Sequence, residues 1–172
     1  MIQNRKEIER VFHAYKSVVY GLACSMLRSS TLADDVTQES FIAFCQCEHE
    51  FDSEEHLKNW LLKVAANKCR NILKHQARHP YVALSDNTAS VEQALETKAS
   101  EERQVASKSK VLWKHVEALP DKLRAVVYLR YAADIGGHQI ASVLDISEAA
   151  VYTRLHRARA LLKASLEKEA SE

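Results

Sequence analysis

The sequence predicts an all-α fold of two small helical domains joined by a flexible linker, on three observations. Breakers are scarce, with three Gly and two Pro in 172 residues, so little of the chain is available for loops. Good helix formers, Ala, Leu, Glu and Lys, dominate. Apolar residues recur at helical spacing everywhere except between about 81 and 108, where small polar residues take over. The expected domains are therefore residues 1–80 and 109–172, with 81–108 as a linker.

The first helix spans Arg5 to Leu27, with Ile8, Val11, Phe12, Tyr15, Val18, Val19, Leu22 and Met26 on one stripe. SSTLADD interrupts it. Ser30 or Thr31 is placed to cap a second helix, with Asp34 and Asp35 in its first turn, where the helix dipole favours negative charge. That helix runs to about Cys47. After the polar turn EFDSEEH, Ser53 is the expected cap of a third helix from about Glu54 to Gln76, ending before Pro80. Leu57, Leu61, Val64, Ala65 and Ile72 form its inward face. A flexible linker of this length reaches roughly 30 Å, enough for the two domains to bind separate sites, and a transient helix is expected within it from Val91 to Val105.

Beyond the linker, Val111, Leu112, Val116 and Leu119 outline a helix that stops at Pro120, and Asp121 to Tyr131 makes another with Leu123, Val126, Val127 and Tyr131 inward. Gly136-Gly137 precedes a short helix, His138 to Leu144. The turn Asp145-Ile146-Ser147 leads into a final helix with Val151, Leu155, Ala158 and Leu162 on its apolar stripe. A short helix, a tight turn and an amphipathic helix form a helix-turn-helix, whose second helix enters the major groove of DNA.

Charge and motifs narrow the function. The net charge of +1 argues against indiscriminate coating of nucleic acid. Its distribution is uneven: Ser29 to Leu57 holds eight acids and no Lys or Arg, whereas Lys58 to Pro80 holds six Lys or Arg and no acid. Two adjoining surfaces of opposite sign follow. A Gly-rich phosphate loop, an HExxH helix and a nucleophile elbow are all missing, which disfavours an enzyme, and no cofactor is expected. No apolar run is long enough for a membrane span and no secretory leader is evident, so a cytoplasmic location is expected. Cys24, Cys45, Cys47 and Cys69 are expected as free thiols, and Cys45, Cys47 and His49 lack the paired spacing of a zinc site.

On the final helix the side opposite the apolar stripe carries Ala149, Thr153, His156, Arg157 and Ala160, with Arg154 and Arg159 on its flanks. Three Arg and no acid lie between Ala149 and Leu162. Small residues there allow approach to base edges, and the cations suit phosphate walls. On the third helix, Lys63, Asn67, Arg70, Asn71 and Lys74 share one side, and Trp60 is either a core anchor or a stacking surface for unpaired bases. The acidic second helix, with Asp35, Gln38, Glu39 and Phe41, fits a basic protein partner or plain solvent.

The segments ADDVTQESFIAFCQCEHEFDSEEHLKNWLLKVAANKCRNILKHQ and ALPDKLRAVVYLRYAADIGGHQIASVLDISEAAVYTRLHRARALL, in this order and spacing, resemble bacterial RNA polymerase sigma factors of the extracytoplasmic-function group. With the first helix and the linker, the resemblance covers nearly the whole chain. It implies sigma regions two and four, core RNA polymerase and promoter DNA as partners, an anti-sigma factor as a further partner, and a monomer when free. It also implies that Asp35, Gln38, Glu39 and Phe41 dock on the polymerase clamp helices. The melted −10 element would meet Trp60, Lys63, Asn67, Arg70, Asn71 and Lys74, and the duplex −35 element would meet Ala149, Tyr152, Thr153, Arg154, His156, Arg157 and Arg159. The sequence departs from the family pattern at Cys45, Asp145, Ala149-Ala150, Tyr152 and His138-Gln139, several of them at the helix that would read DNA. A polymerase-independent DNA-binding regulator, a protein-interaction adaptor and a Cys/His metal enzyme are the rival functions.

Overall fold

A computed structural model describes residues 4–80 and 103–172, in the second segment with side chains from Lys110 onward. Among the described residues there are seven α-helices and no strand. They are α1 (Arg5–Leu27), α2 (Ser30–Cys45), α3 (Glu54–Arg78), α4 (Arg103–Glu117), α5 (Asp121–Val127), α6 (Gly137–Leu144) and α7 (Glu148–Ala170), and α5 runs on into a π-helical turn at Tyr128–Ala132. Most of the expected linker and its transient helix lie outside the described residues, but α4 already begins at Arg103, ahead of the expected boundary at 109.

Side-chain caps set several of these starts by accepting backbone N–H groups that have no partner inside the helix. Asn4 accepts from Lys6 N, Ser53 from His56 N and Ser147 from Ala150 N. The cap of α2 is Ser29, which accepts from Leu32 N at 3.3 Å, rather than Ser30 or Thr31. Asp34 and Asp35 therefore fall in the second turn. The helix also ends at Cys45, two residues before the expected Cys47, and α3 continues to Arg78.

Helices α1, α2 and α3 form one bundle; α5, α6 and α7, with α4 against them, form the second group. The two groups touch: α1 packs on α5 and its π turn, and α3 packs on α6. This contact widens what each helix buries. On α1 the buried set extends past the predicted stripe to Gly21, Ala23, Cys24 and Ser25. On α3 it includes Leu62, Ala66 and Cys69, while Val64 and Ile72, expected inside, are half-buried.

Tyr131 corrects another expectation. It is 53% exposed, and Tyr128 and Leu129 are buried in its place. The cause is the π turn, in which Ala133 N donates to Tyr128 O at 3.0 Å, five residues back. The wider turn breaks the 3.6-residue phase counted from Leu123 and Val126.

All four cysteines are free thiols. Burial pushes Cys24 up to about 11 and Cys69 up to about 12, whereas Cys45 and Cys47 are only half-buried. Because the thiolate is the reactive form, a disulfide reagent at neutral pH should titrate two thiols quickly and the other two only on unfolding. Four equally fast thiols would contradict this packing.

Candidate nucleic-acid interface

The helix-turn-helix is built from α6, the turn at Asp145–Ser147 and α7. Asp145 takes the left-handed conformation (φ 54°) that ends α6, a position where Asp is tolerated better than most side chains. Ile140, Val143, Val151, Leu155 and Ala158 lock the two helices together, with Val151 and Ala158 fully buried. His138 Nδ1 lies 2.7 Å from Glu148 Oε1 and links the two helix starts.

This packing sorts the seven candidate residues of α7. Ala149, Tyr152, Thr153, His156, Arg157 and Arg159 are exposed and Arg154 is half-buried. Thr153 Oγ1 donates back to Ala149 O at 2.9 Å. Arg159 is engaged sideways: its Nε donates to Tyr131 Oη at 2.9 Å and its guanidinium sits 6.0 Å from the Tyr131 ring centre. Arg154 lines a groove of about 370 Å³ beside Arg70, Lys74 and Leu144. Arg157, the remaining arginine of this set, is exposed, and no such contact holds it among the described residues. Tyr152 stands over the start of α6, where its hydroxyl would lie 2.7 Å from a Cβ built on Gly137.

On α3, Lys63, Asn67, Asn71 and Lys74 are exposed and Arg70 is half-buried. Arg70 donates to Asn67 Oδ1 and to Leu144 O of α6, and Lys63 Nζ reaches Ser142 Oγ at 3.5 Å. Trp60 is half-buried and meets Phe51 edge-on at 5.4 Å. Sequence reasoning missed the ring cluster around that turn, in which Phe51 also contacts His49 at 5.2 Å and His56 at 5.4 Å. The start of α3 is tied to α1 by Arg10, 2.7 Å from Glu54, and by the Tyr15 hydroxyl, which donates to Glu54 at 2.5 Å. The Arg10 and Tyr15 hydrogen bonds hold the Glu54 carboxyl below the usual carboxylate range.

On α2, Asp35, Gln38 and Glu39 are exposed, and Glu39 pairs with Lys68 of α3 at 2.9 Å. Phe41 is a correction. It is 6% exposed and packs edge-on against Phe12 at 5.0 Å, so it belongs to the bundle core rather than to an outer docking surface. Cys45, Cys47 and His49 are close in sequence, yet among the described residues no group of three His, Cys, Asp or Glu is arranged to hold a metal ion. Nor is any described helix long and apolar enough to cross a membrane.

Residues 11–79 match the model of Sigma-70 region 2, and residues 110–162 match that of Sigma-70 region 4. The chain is 30% identical over 159 residues to the ECF RNA polymerase sigma factor SigM of Bacillus subtilis, covering 91% of this chain and 93% of SigM. The chain belongs to the ECF RNA polymerase sigma factors. As a member of the family it is a transcription initiation factor that directs RNA polymerase to promoters. SigW of Bacillus subtilis is 28% identical over 158 residues, covering 88% of this sigma factor and 84% of SigW. Two solved structures share the fold. CnrH in complex with the cytosolic domain of CnrY has a TM-score of 0.62 at 22% identity, over 96% of this chain and 90% of that one. RpoE in complex with the anti-sigma factor NepR, from Bartonella quintana, has a TM-score of 0.67 at 16% identity, over 94% and 98%.

Proposed function

We propose that this sigma factor divides promoter recognition between its two helical groups and takes the polymerase on a third surface. The observation that carries the reading is the sidedness of α7: Val151, Leu155 and Ala158 are buried, while Ala149, Thr153, His156 and Arg157 face outward. A slim face with the exposed guanidinium of Arg157 suits the major groove of the −35 element. The cation and amide side of α3, with Lys63, Asn67, Arg70, Asn71 and Lys74, serves the melted −10 strand beside the ring cluster at Trp60. Asp35, Gln38 and Glu39 of α2 present acid to a basic surface of core polymerase.

In this reading the domains are residues 1–80 and 109–172, and the protein works in the cytoplasm as a monomer. It catalyses nothing itself, since RNA synthesis belongs to the polymerase. An anti-sigma factor is its further partner, in line with the complex described for the similar RpoE. Run-off transcription from a genomic fragment library, with purified core polymerase, tests the proposal. Discrete new start sites sharing two spaced upstream elements support it. Start sites sharing only one element, or none at all, overturn the division.

A further inference from the structure

We propose that the groove bordered by α1, α3, α5 and the turn between α6 and α7 binds a small phosphorylated molecule with an apolar body, the chemistry shared by a nucleoside diphosphate and an alkyl phosphate. The groove holds about 370 Å³, the scale of a small-ligand pocket. Two turns of a partner's helix, about 10 Å across, would fill roughly 800 Å³. Four cations line the groove from three different helices: Arg70 and Lys74 of α3, Lys122 of α5 and Arg154 of α7. Against them stand two carboxylates, Asp121 and Asp145. Asp121 is already engaged, 3.3 Å from Arg28 and 2.9 Å from Arg124. Among the described residues no ion pair engages Lys74, Lys122 or Arg154, and Arg70 meets the neutral oxygens Asn67 Oδ1 and Leu144 O. A concave site with this excess of positive charge favours an anion carrying more than one negative charge, and guanidinium groups match phosphate oxygens in pairs.

The rest of the lining is apolar. Met26, Ala125 and Leu144 are buried, whereas Leu73 is 36% exposed and Ile146 half-buried. An exposed leucine among cations is served neither by water nor by a bare anion. A ligand that covers Leu73 and Ile146 with its body, while its phosphate meets the cations, gains from both kinds of contact. Inorganic phosphate gains from one. Arg70, Lys74 and Arg154 are also among the residues assigned above to promoter DNA, so ligand and DNA compete for them. That consequence, unlike the site itself, rests on the reading of α3 and α7 given above.

Isothermal titration of the full chain with ADP, octyl phosphate and inorganic pyrophosphate tests the site. ADP or octyl phosphate should bind one molecule per chain, about tenfold or more tighter than pyrophosphate, and the one that does so identifies the body that the groove takes. Lys122→Glu and Leu73→Glu should each weaken that binding by about tenfold or more and leave the far-UV circular dichroism unchanged, since both residues are exposed and neither is assigned to DNA or to polymerase. Lys163→Glu, in the separate apolar groove between α4 and α7, should bind as the wild type does. No binding, equal affinity for all three probes, a preference for a poly-glutamate peptide over both small ligands, or binding lost in Lys163→Glu but kept in the other two variants overturns the inference. Excess random-sequence single-stranded DNA separates the consequence from the site. Displacement of the ligand by DNA upholds the competition, and ligand binding untouched by DNA overturns the competition alone.

Discussion

Arg157→Ala should reduce run-off transcription from this factor's promoters by about 10- to 100-fold and leave its affinity for core polymerase unchanged. The magnitude follows from the 1–3 kcal/mol of discrimination, about, that one good base-edge contact carries. The choice of residue follows from the packing of α7. Arg159 is occupied by Tyr131, and Arg154 is half-buried in the groove toward α3, so alanine at either position should cost transcription less. The complementary change is the double reversal Asp35→Lys with Glu39→Lys. It should weaken binding to core polymerase and spare binding of −35 duplex. Its effect on folding should be small, because Glu39 is exposed and its partner Lys68 only half-buried, and surface pairs contribute about 1 kcal/mol or less. If both sets of changes impair the same step, the surfaces are not divided.

Arg124→Ala should lower folding stability by about 3 kcal/mol, which for a chain of this size is a fall in Tm of about 10 °C. The guanidinium is 1% exposed and donates to three groups: Ser25 O at 2.6 Å, Leu119 O at 3.0 Å and Asp121 Oδ1 at 2.9 Å. Ser25 lies in the last turn of α1, where a carbonyl has no partner inside its own helix. Arg28 reinforces the same junction, donating to Leu119 O at 3.0 Å and pairing with Asp121 at 3.3 Å. Removing Arg124 leaves the buried Ser25 carbonyl unpaired and opens a cavity, the two costs that dominate severe substitutions, while Leu119 O keeps Arg28. Arg124→Lys should rescue little, because an ammonium cannot span the three acceptors that a planar fork reaches. Thermal unfolding of the three proteins decides this, and a shift in Tm of less than about 2 °C for the alanine variant would contradict the role assigned to the fork.

The helices were legible in the sequence because each repeats apolar residues at helical spacing, and α1, α2, α3 and α7 also begin at a side-chain cap. Arg5–Leu27 coincides with its prediction at both ends, and Ser53 and Ser147 cap the helices that follow them. Where the prediction slipped, a local hydrogen bond or a tertiary contact had intervened. The α2 start moved because the Ser29 hydroxyl reaches Leu32 N. Tyr131 turned outward because a π turn shifted the phase. Phe41 was assigned to a docking surface because it sits among acids in the sequence, yet Phe12 of α1 covers it.

The sequence by itself determined the all-α class, the helix-turn-helix, the segregation of acid from base and the family, since all of these are written in local spacing and composition. It also placed the outward face of α7, because the apolar stripe there is set by neighbours within the same domain. Tertiary structure alone decided which cations remain available to a ligand, and that the two helical groups meet. Those outcomes depend on residues far apart in the chain, such as Gly21 with Tyr128, Ser25 with Arg124 and Arg70 with Leu144. A periodicity reports only that a face is buried, never against what, and a buried arginine carries no helical signature until its carbonyl partners are in place.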